Sequence, residues 1–167
     1  ITNGNLCSTG DGPIALLELL DASGNLVATC TGAFISTQHV LTGAHCFDEG
    51  IVSATIRYSD KRIASQSIAR PTGYSSQTSL SPEDFAVVTL QQPAEGVEAL
   101  PLLISEPVAI GDTLNIVGYG QDENGNSALQ GNDYEESLKK GTMILSDIEP
   151  SLRLFAAEFN DTQQSIC

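Results

Sequence analysis

The sequence predicts an all-β protein, and three observations carry that prediction. Apolar residues come in short runs, several with period-two character, which is the pattern of strands with one buried face. Between the runs lie clusters of Gly, Asn, Asp, Ser and Pro, the residues that close turns. The one run with helical character, Leu16 to Leu20, is too short for a helix and is flanked by turn residues, so it too reads as strand.

In chain order, Ile14 to Leu20 and Leu26 to Ala28 flank Asp21-Ala22-Ser23-Gly24-Asn25, a hairpin with a Gly- and Asn-rich turn. The strand continues through Thr29-Cys30-Thr31-Gly32-Ala33-Phe34-Ile35, and Ser36, Thr37 and Gln38 make a polar turn beside His39. Val40-Leu41 then runs into the small-residue turn Thr42-Gly43-Ala44, with His45 beside Cys46. Ile51 to Tyr58 and Ile63 to Ile68 give two more strands. Pro71 to Pro82 is polar and turn-forming, and it leads through Glu83 and Asp84 into the apolar run Phe85 to Leu90. Residues 92–113, with Pro93, Gly96, Pro101, Pro107 and Gly111, read as connecting loops. Thr113 to Gly120 and Leu138 to Leu145 are strands on either side of Asp122 to Asp133, a surface loop rich in Gly, Asn and acids. Phe155 to Phe159 is a short apolar piece to which the pattern assigns no state.

Composition bounds the function. With 167 residues, 41% hydrophobic and 17% charged, the chain has globular composition and enough length for a core. Seven Lys and Arg against 21 Asp and Glu give a formal charge of −14, which repels nucleic acid and anionic membranes. No run approaches the roughly 18 apolar residues of a membrane helix, so a soluble, already processed chain is expected. Four cysteines without a C-x-x-C pair point to disulfides in an oxidising compartment and not to zinc or thiol redox chemistry. No metal or other cofactor is expected, since His39, His45 and the carboxylates lack ligand spacing.

Two residues invite a chemical role. An imidazole shuttles protons near neutral pH, but only when rigid surroundings hold it in one orientation. A carboxylate at the mouth of an apolar run, as Asp84 is, costs energy to bury unless something donates to it. Taken alone, Asp84 reads as a surface strand cap, and Glu83 beside it is expected to be solvated.

Cys30-Thr-Gly-Ala-Phe-Ile-Ser36 followed by Val40-Leu-Thr-Gly-Ala-His-Cys46 resembles the histidine-loop signature of chymotrypsin-like (trypsin-fold) serine proteases. Asp84-Phe-Ala-Val-Val-Thr-Leu90 resembles that family's Asp-Ile-Ala-Leu-Leu-x-Leu segment. Thr113 to Gly120 resembles its strand ending in Gly-Trp-Gly, with Tyr119 in place of the tryptophan, and Ile1-Thr-Asn-Gly4 resembles the Ile-Val-Gly-Gly terminus exposed when a propeptide is removed. The resemblance implies two six-stranded antiparallel β-barrels, the first in residues 1–100 with the N-terminal segment and the second, incomplete, in residues 101–167. It implies a secreted serine endopeptidase made as a zymogen, acting on protein or peptide substrates through a Ser-His-Asp triad. His45 would be its base and Asp84 the carboxylate that orients the ring, in the family's chain order of His, Asp, Ser. Cys30 and Cys46 would be bridged, and Ile1 would supply the activation terminus.

The serine itself is not expected within these residues. Ser36, Ser75, Ser81, Ser127 and Ser146 lack the flanking glycines of the nucleophile, and the family places Gly-Asp-Ser-Gly-Gly one residue beyond a cysteine matched by Cys167. The expectation is a C-terminal half on a separate polypeptide, or absent from this sequence, without which the chain is inactive. Cys167 would pair with a cysteine in that half, while the partner that Cys7 commonly has near residue 114 is missing. Ser165 and Ile166 would line the pocket for the side chain before the scissile bond, and their lack of charge favours apolar or small residues over basic ones. The competing function is a protease-like binding module that has lost catalysis. Retention of both His45 and Asp84 argues for the enzyme, because neither is needed for folding.

Overall fold

The computed structural model describes residues 5–6, 12–48, 50–76, 83–102, 107–119, 138–149 and 154–159, of which 5–6, 149 and 154–159 are described by backbone alone. Its strands are β1 (Asn5–Leu6), β2 (Ile14–Asp21), β3 (Leu26–Ser36), β4 (His39–Thr42), β5 (Ile51–Tyr58), β6 (Lys61–Ala69), β7 (Ala86–Leu90), β8 (Thr113–Gly118), β9 (Lys139–Glu149) and β10 (Leu154–Phe159). A 3₁₀ turn, Ala44–Phe47, follows β4. The chain divides into two compact units, residues 9–102 and residues 1–8 together with 103–167.

The first unit is a closed barrel in the order β2-β3-β4-β7-β6-β5, with β5 returning to β2. Closure leaves no open sheet edge, and it packs alternate residues inward. Leu17 shows the period at work: it pairs with Cys30 on β3 and Ile56 on β5, and it is fully buried with them at the core or its margin. Phe34, Val40, Ile56, Val88 and Leu90 complete the centre at 0% exposure. Phe34 meets Tyr58 edge to face at 5.2 Å between ring centroids, a geometry worth about 0.5–1.5 kcal/mol beyond burial. Gly32 is dictated by this packing, since a Cβ there would lie 2.5 Å from Val40 Cγ1 and 2.7 Å from Leu17 Cδ1.

Turn chemistry fixes the register of the hairpins. Asp21 Oδ1 accepts the N–H groups of Asn25 and Ser23 at 2.8 Å each, and Gly24 takes φ +80° between them. The β5–β6 connection is tighter, only Ser59 and Asp60, and Ser59 sits at φ 48°. A left-handed backbone costs a serine more than an asparagine. Ser59→Asn is therefore expected to stabilise the barrel by about 0.5 kcal/mol, or about 2–4 °C in melting temperature for a unit of this size. Thermal unfolding followed by circular dichroism checks it, and an unchanged midpoint would place no strain at Ser59.

In the second unit β9 is the central strand of a four-stranded sheet. One edge pairs with β8, and the other pairs with β10 along Met143 to Glu149. Where β10 stops, β1 takes over the same edge, Asn5 opposite Lys140 and Leu6 opposite Lys139. Asn5–Leu6, placed with the first barrel on sequence grounds, thus pair in the second unit because an unpaired strand edge is available there. Phe155 to Phe159, left unassigned by pattern, belong to β10. Tyr119, at the end of β8, is buried at 3% exposure. Among the described residues this sheet is open, in contrast to the barrel of the first unit.

Candidate active site

Two antiparallel neighbours bring the site together. Thr42, the last residue of β4, pairs with Ala86, the first of β7. The chain leaving β4 and the chain entering β7 therefore emerge at the same end of the barrel. His45 lies three residues past that pair and Asp84 two before it, so residues 39 apart in sequence meet.

The local chain shapes the meeting. Ala44, Cys46 and Phe47 of the 3₁₀ turn are buried, while the His45 side chain points out at 63% exposure. Cys46 is bridged to Cys30 on β3, with the Cα atoms 6.3 Å apart, which ties the turn to the barrel wall. Thr42, a buried polar residue, donates its hydroxyl to the Thr31 carbonyl at 2.8 Å and so keeps the end of β4 on β3.

Asp84 receives the turn with both oxygens. Oδ1 accepts the backbone N–H of His45 at 2.9 Å, and Oδ2 lies 2.8 Å from His45 Nδ1. Burial alone would raise the Asp84 carboxyl, but the His45 N–H, the His45 ring and the Ala44 N–H outweigh it and hold the group below its ordinary value of 3.8. An ionised carboxylate only accepts, so Nδ1 carries the ring proton and Nε2 keeps its lone pair. That is the tautomer a general base needs, since Nε2, which lies 3.7 Å from the disulfide sulfur of Cys46, holds the lone pair that can take a proton.

The carboxylate of Glu83 departs from expectation. Its Oε2 is enclosed, packed against Gly73 where any side chain would collide with it. Beside it the chain turns tightly, with Phe85 N–H bonding the Glu83 carbonyl at 2.8 Å. His39 opens β4 half-buried, with Nδ1 2.8 Å from Ser36 Oγ, and is remote in role from His45. The donor atoms of Cys30, His45 and Cys46 lie within 4.8 Å of one another, but both sulfurs are spent in the disulfide and offer no thiolate to a metal. Asp48, Arg70 and Tyr74, beside the site, escaped the sequence reading, because they are separated by 22 to 26 residues and follow no period. Ile1, Cys7, Ser165, Ile166 and Cys167 lie outside the described residues.

Comparison with known proteins gives the family of the chain. The family model for trypsin matches residues 1–147. The chain belongs to the trypsin family. Solved structures agree on the fold of this trypsin-family chain. It superposes on HL collagenase with a TM-score of 0.68 at 19% identity, over 92% of this chain and 70% of that one. Neuropsin, a serine protease expressed in the limbic system of mouse brain, gives 0.67 at 18% identity over 88% and 66%. The structure of GrC gives 0.66 at 20% identity over the same shares, 88% and 66%. The chain thus spans about two thirds of the length of these neighbours. Its sequence matches no curated protein. Membership makes it a serine-protease-family chain, with protein or peptide as the substrate class of that family, while each residue's role rests on the geometry above.

Proposed function

We propose that this chain carries the base and the orienting carboxylate of a secreted serine endopeptidase, with the nucleophilic serine contributed by polypeptide that completes a second barrel. The observation that supports it best is the paired contact of Asp84, 2.9 Å to the His45 backbone N–H and 2.8 Å to Nδ1, which leaves Nε2, 3.7 Å from Cys46 Sγ, as the ring's proton acceptor. His45 would take the serine proton and return it to the leaving amine, while Asp84 stabilises the imidazolium. About a third of each structural neighbour has no counterpart in this chain, which gives the serine and its oxyanion donors somewhere to lie. The Cys30–Cys46 bridge supports an oxidising, extracellular setting.

The decisive experiment supplies a C-terminal polypeptide bearing the Gly-x-Ser motif and measures amide hydrolysis before and after His45→Ala. Hydrolysis that requires both the added polypeptide and His45 is expected. Turnover by the 167-residue chain alone, lost with His45→Ala, would place the nucleophile within it; no turnover by the completed protein would favour a binding module.

Specificity follows from Ser165 and Ile166, assigned to the pocket for the residue before the scissile bond. An uncharged pocket offers a guanidinium or ammonium no counter-charge, and burying either unpaired is costly. Substrates with Leu, Phe or Ala at that position are expected to be cleaved at least tenfold faster than those with Arg or Lys. A profile led by Arg would show a carboxylate reaching the pocket from elsewhere.

A further inference from the structure

Past the end of β6 the chain runs Arg70-Pro71-Thr72-Gly73-Tyr74, and this segment touches both elements that hold the imidazole. Toward the histidine, Tyr74 Oη donates to Asp48 Oδ2 at 2.7 Å, and Arg70 Nη1 donates to Asp48 Oδ1 at 3.3 Å and to the Phe47 carbonyl at 3.0 Å. Asp48 caps the 3₁₀ turn, and its N–H bonds the carbonyl of His45 itself at 3.2 Å. Toward the aspartate, Gly73 seats the carboxylate of Glu83, the residue next to Asp84.

The turn needs such help. It is four residues long, its two closing hydrogen bonds measure 3.3 and 3.2 Å, and 3₁₀ geometry makes those bonds weak. The exposed ring finds its partner only if the backbone beneath it stays put. Tyr74 is well placed to secure that, because it packs against the barrel core, its N–H closes a turn on the Pro71 carbonyl at 3.2 Å, and the Arg70 guanidinium lies 5.8 Å over its ring. Burial, then the bond to Asp48, push the Tyr74 hydroxyl up to about 12, so it remains a donor at any working pH.

We propose that Tyr74 and Arg70 are positioning residues for His45, acting through Asp48 to hold the 3₁₀ turn so that the imidazole stays on Asp84. The inference rests on the catalytic reading of His45, yet it can be tested apart from it. With two histidines in the chain, the His45 Nδ1 proton can be followed by NMR in the ¹⁵N-labelled 167-residue protein, and its exchange with water reports how often the bond to Asp84 opens.

A hydrogen bond to a charged group is lost in Tyr74→Phe while the ring packing is kept, so exchange at Nδ1 is expected to quicken about tenfold. Arg62→Gln serves as the control, since it removes one of the two guanidinium groups on Glu18, outside the Asp48 and Asp84 contacts, and is expected to leave that exchange unchanged. In the completed protein Tyr74→Phe is expected to lower kcat about tenfold with KM held within about twofold, the split that positioning and not binding produces. Exchange within about twofold of wild type in Tyr74→Phe would overturn the proposal, as would equal quickening in Arg62→Gln. Should Tyr74→Phe fail to fold, Arg70→Met removes the donor nitrogen that reaches both Asp48 and the Phe47 carbonyl and decides by the same measure. Quickened exchange in Tyr74→Phe, alongside a completed wild-type protein that hydrolyses nothing, would support the brace while sinking the protease reading.

Discussion

Asp84→Asn is expected to lower kcat of the completed protease on the order of 10⁴-fold with little change in KM. The geometry says why an amide of the same shape fails. The backbone N–H of His45 requires an acceptor where Oδ1 now stands, so the amide oxygen takes that place. The amide NH₂ is then left facing Nδ1, where a carboxylate oxygen sat at 2.8 Å. Two donors cannot face each other, so Nδ1 gives up its proton and Nε2 acquires one. A ring protonated at Nε2 has no lone pair to offer a serine. Steady-state kinetics of the variant check this, and a loss smaller than about 100-fold would show that Asp84 does not set the tautomer. The same substitution has a signature in stability. Because the folded-state pKa of Asp84 lies below its ordinary 3.8, its contribution is fully present above that value and drains away as pH falls through the lower folded value. Urea unfolding between pH 6 and the acid limit should show a shallower acid loss in Asp84→Asn than in wild type.

Removing the Cys30–Cys46 bridge by Cys30→Ala with Cys46→Ala is expected to cost about 3 kcal/mol, the chain-entropy value for a loop of 16 residues. Against the 5–15 kcal/mol of a typical domain this is a large share. The cost falls where it matters, since Cys46 is buried within the His45 turn and Cys30 anchors it to β3. Denaturant midpoints of the oxidised wild type and the double variant measure it. A difference under about 1 kcal/mol would mean that packing of Ala44 and Phe47 already fixes the turn.

The barrel was legible because its strands announce themselves. Ile51 to Tyr58 alternates in sequence as it alternates in burial, and Asp21-Ala22-Ser23-Gly24-Asn25 carries both the Asx acceptor and the glycine its turn uses. That His45 and Asp84 would meet could be read only from the family resemblance of their flanking motifs, because a carboxylate at a junction of polar turn and apolar strand, taken alone, reads as a surface cap. What could not be read depends on contacts with no period. Nothing local tells that Tyr74 will reach Asp48, that Asn5–Leu6 will find the free end of β9, or that the Glu83 carboxylate will be enclosed against a glycine ten residues earlier. Phe155 to Phe159 failed for a simpler reason: one short apolar run fits either state until a partner strand supplies its hydrogen bonds.

The place of β7 in the barrel has a consequence for assembly. In sequence it is the last strand of its unit, yet in space it lies between β4 and β6. The meander β2-β3-β4 and the hairpin β5-β6 can form from neighbouring residues, but the gap between them closes only when Ala86–Leu90 slides in. That same insertion delivers Asp84 to His45. A nascent chain or a partly unfolded one, with β7 not yet seated, therefore has an imidazole with no carboxylate behind it, and proton-transfer competence becomes a late marker of a finished barrel.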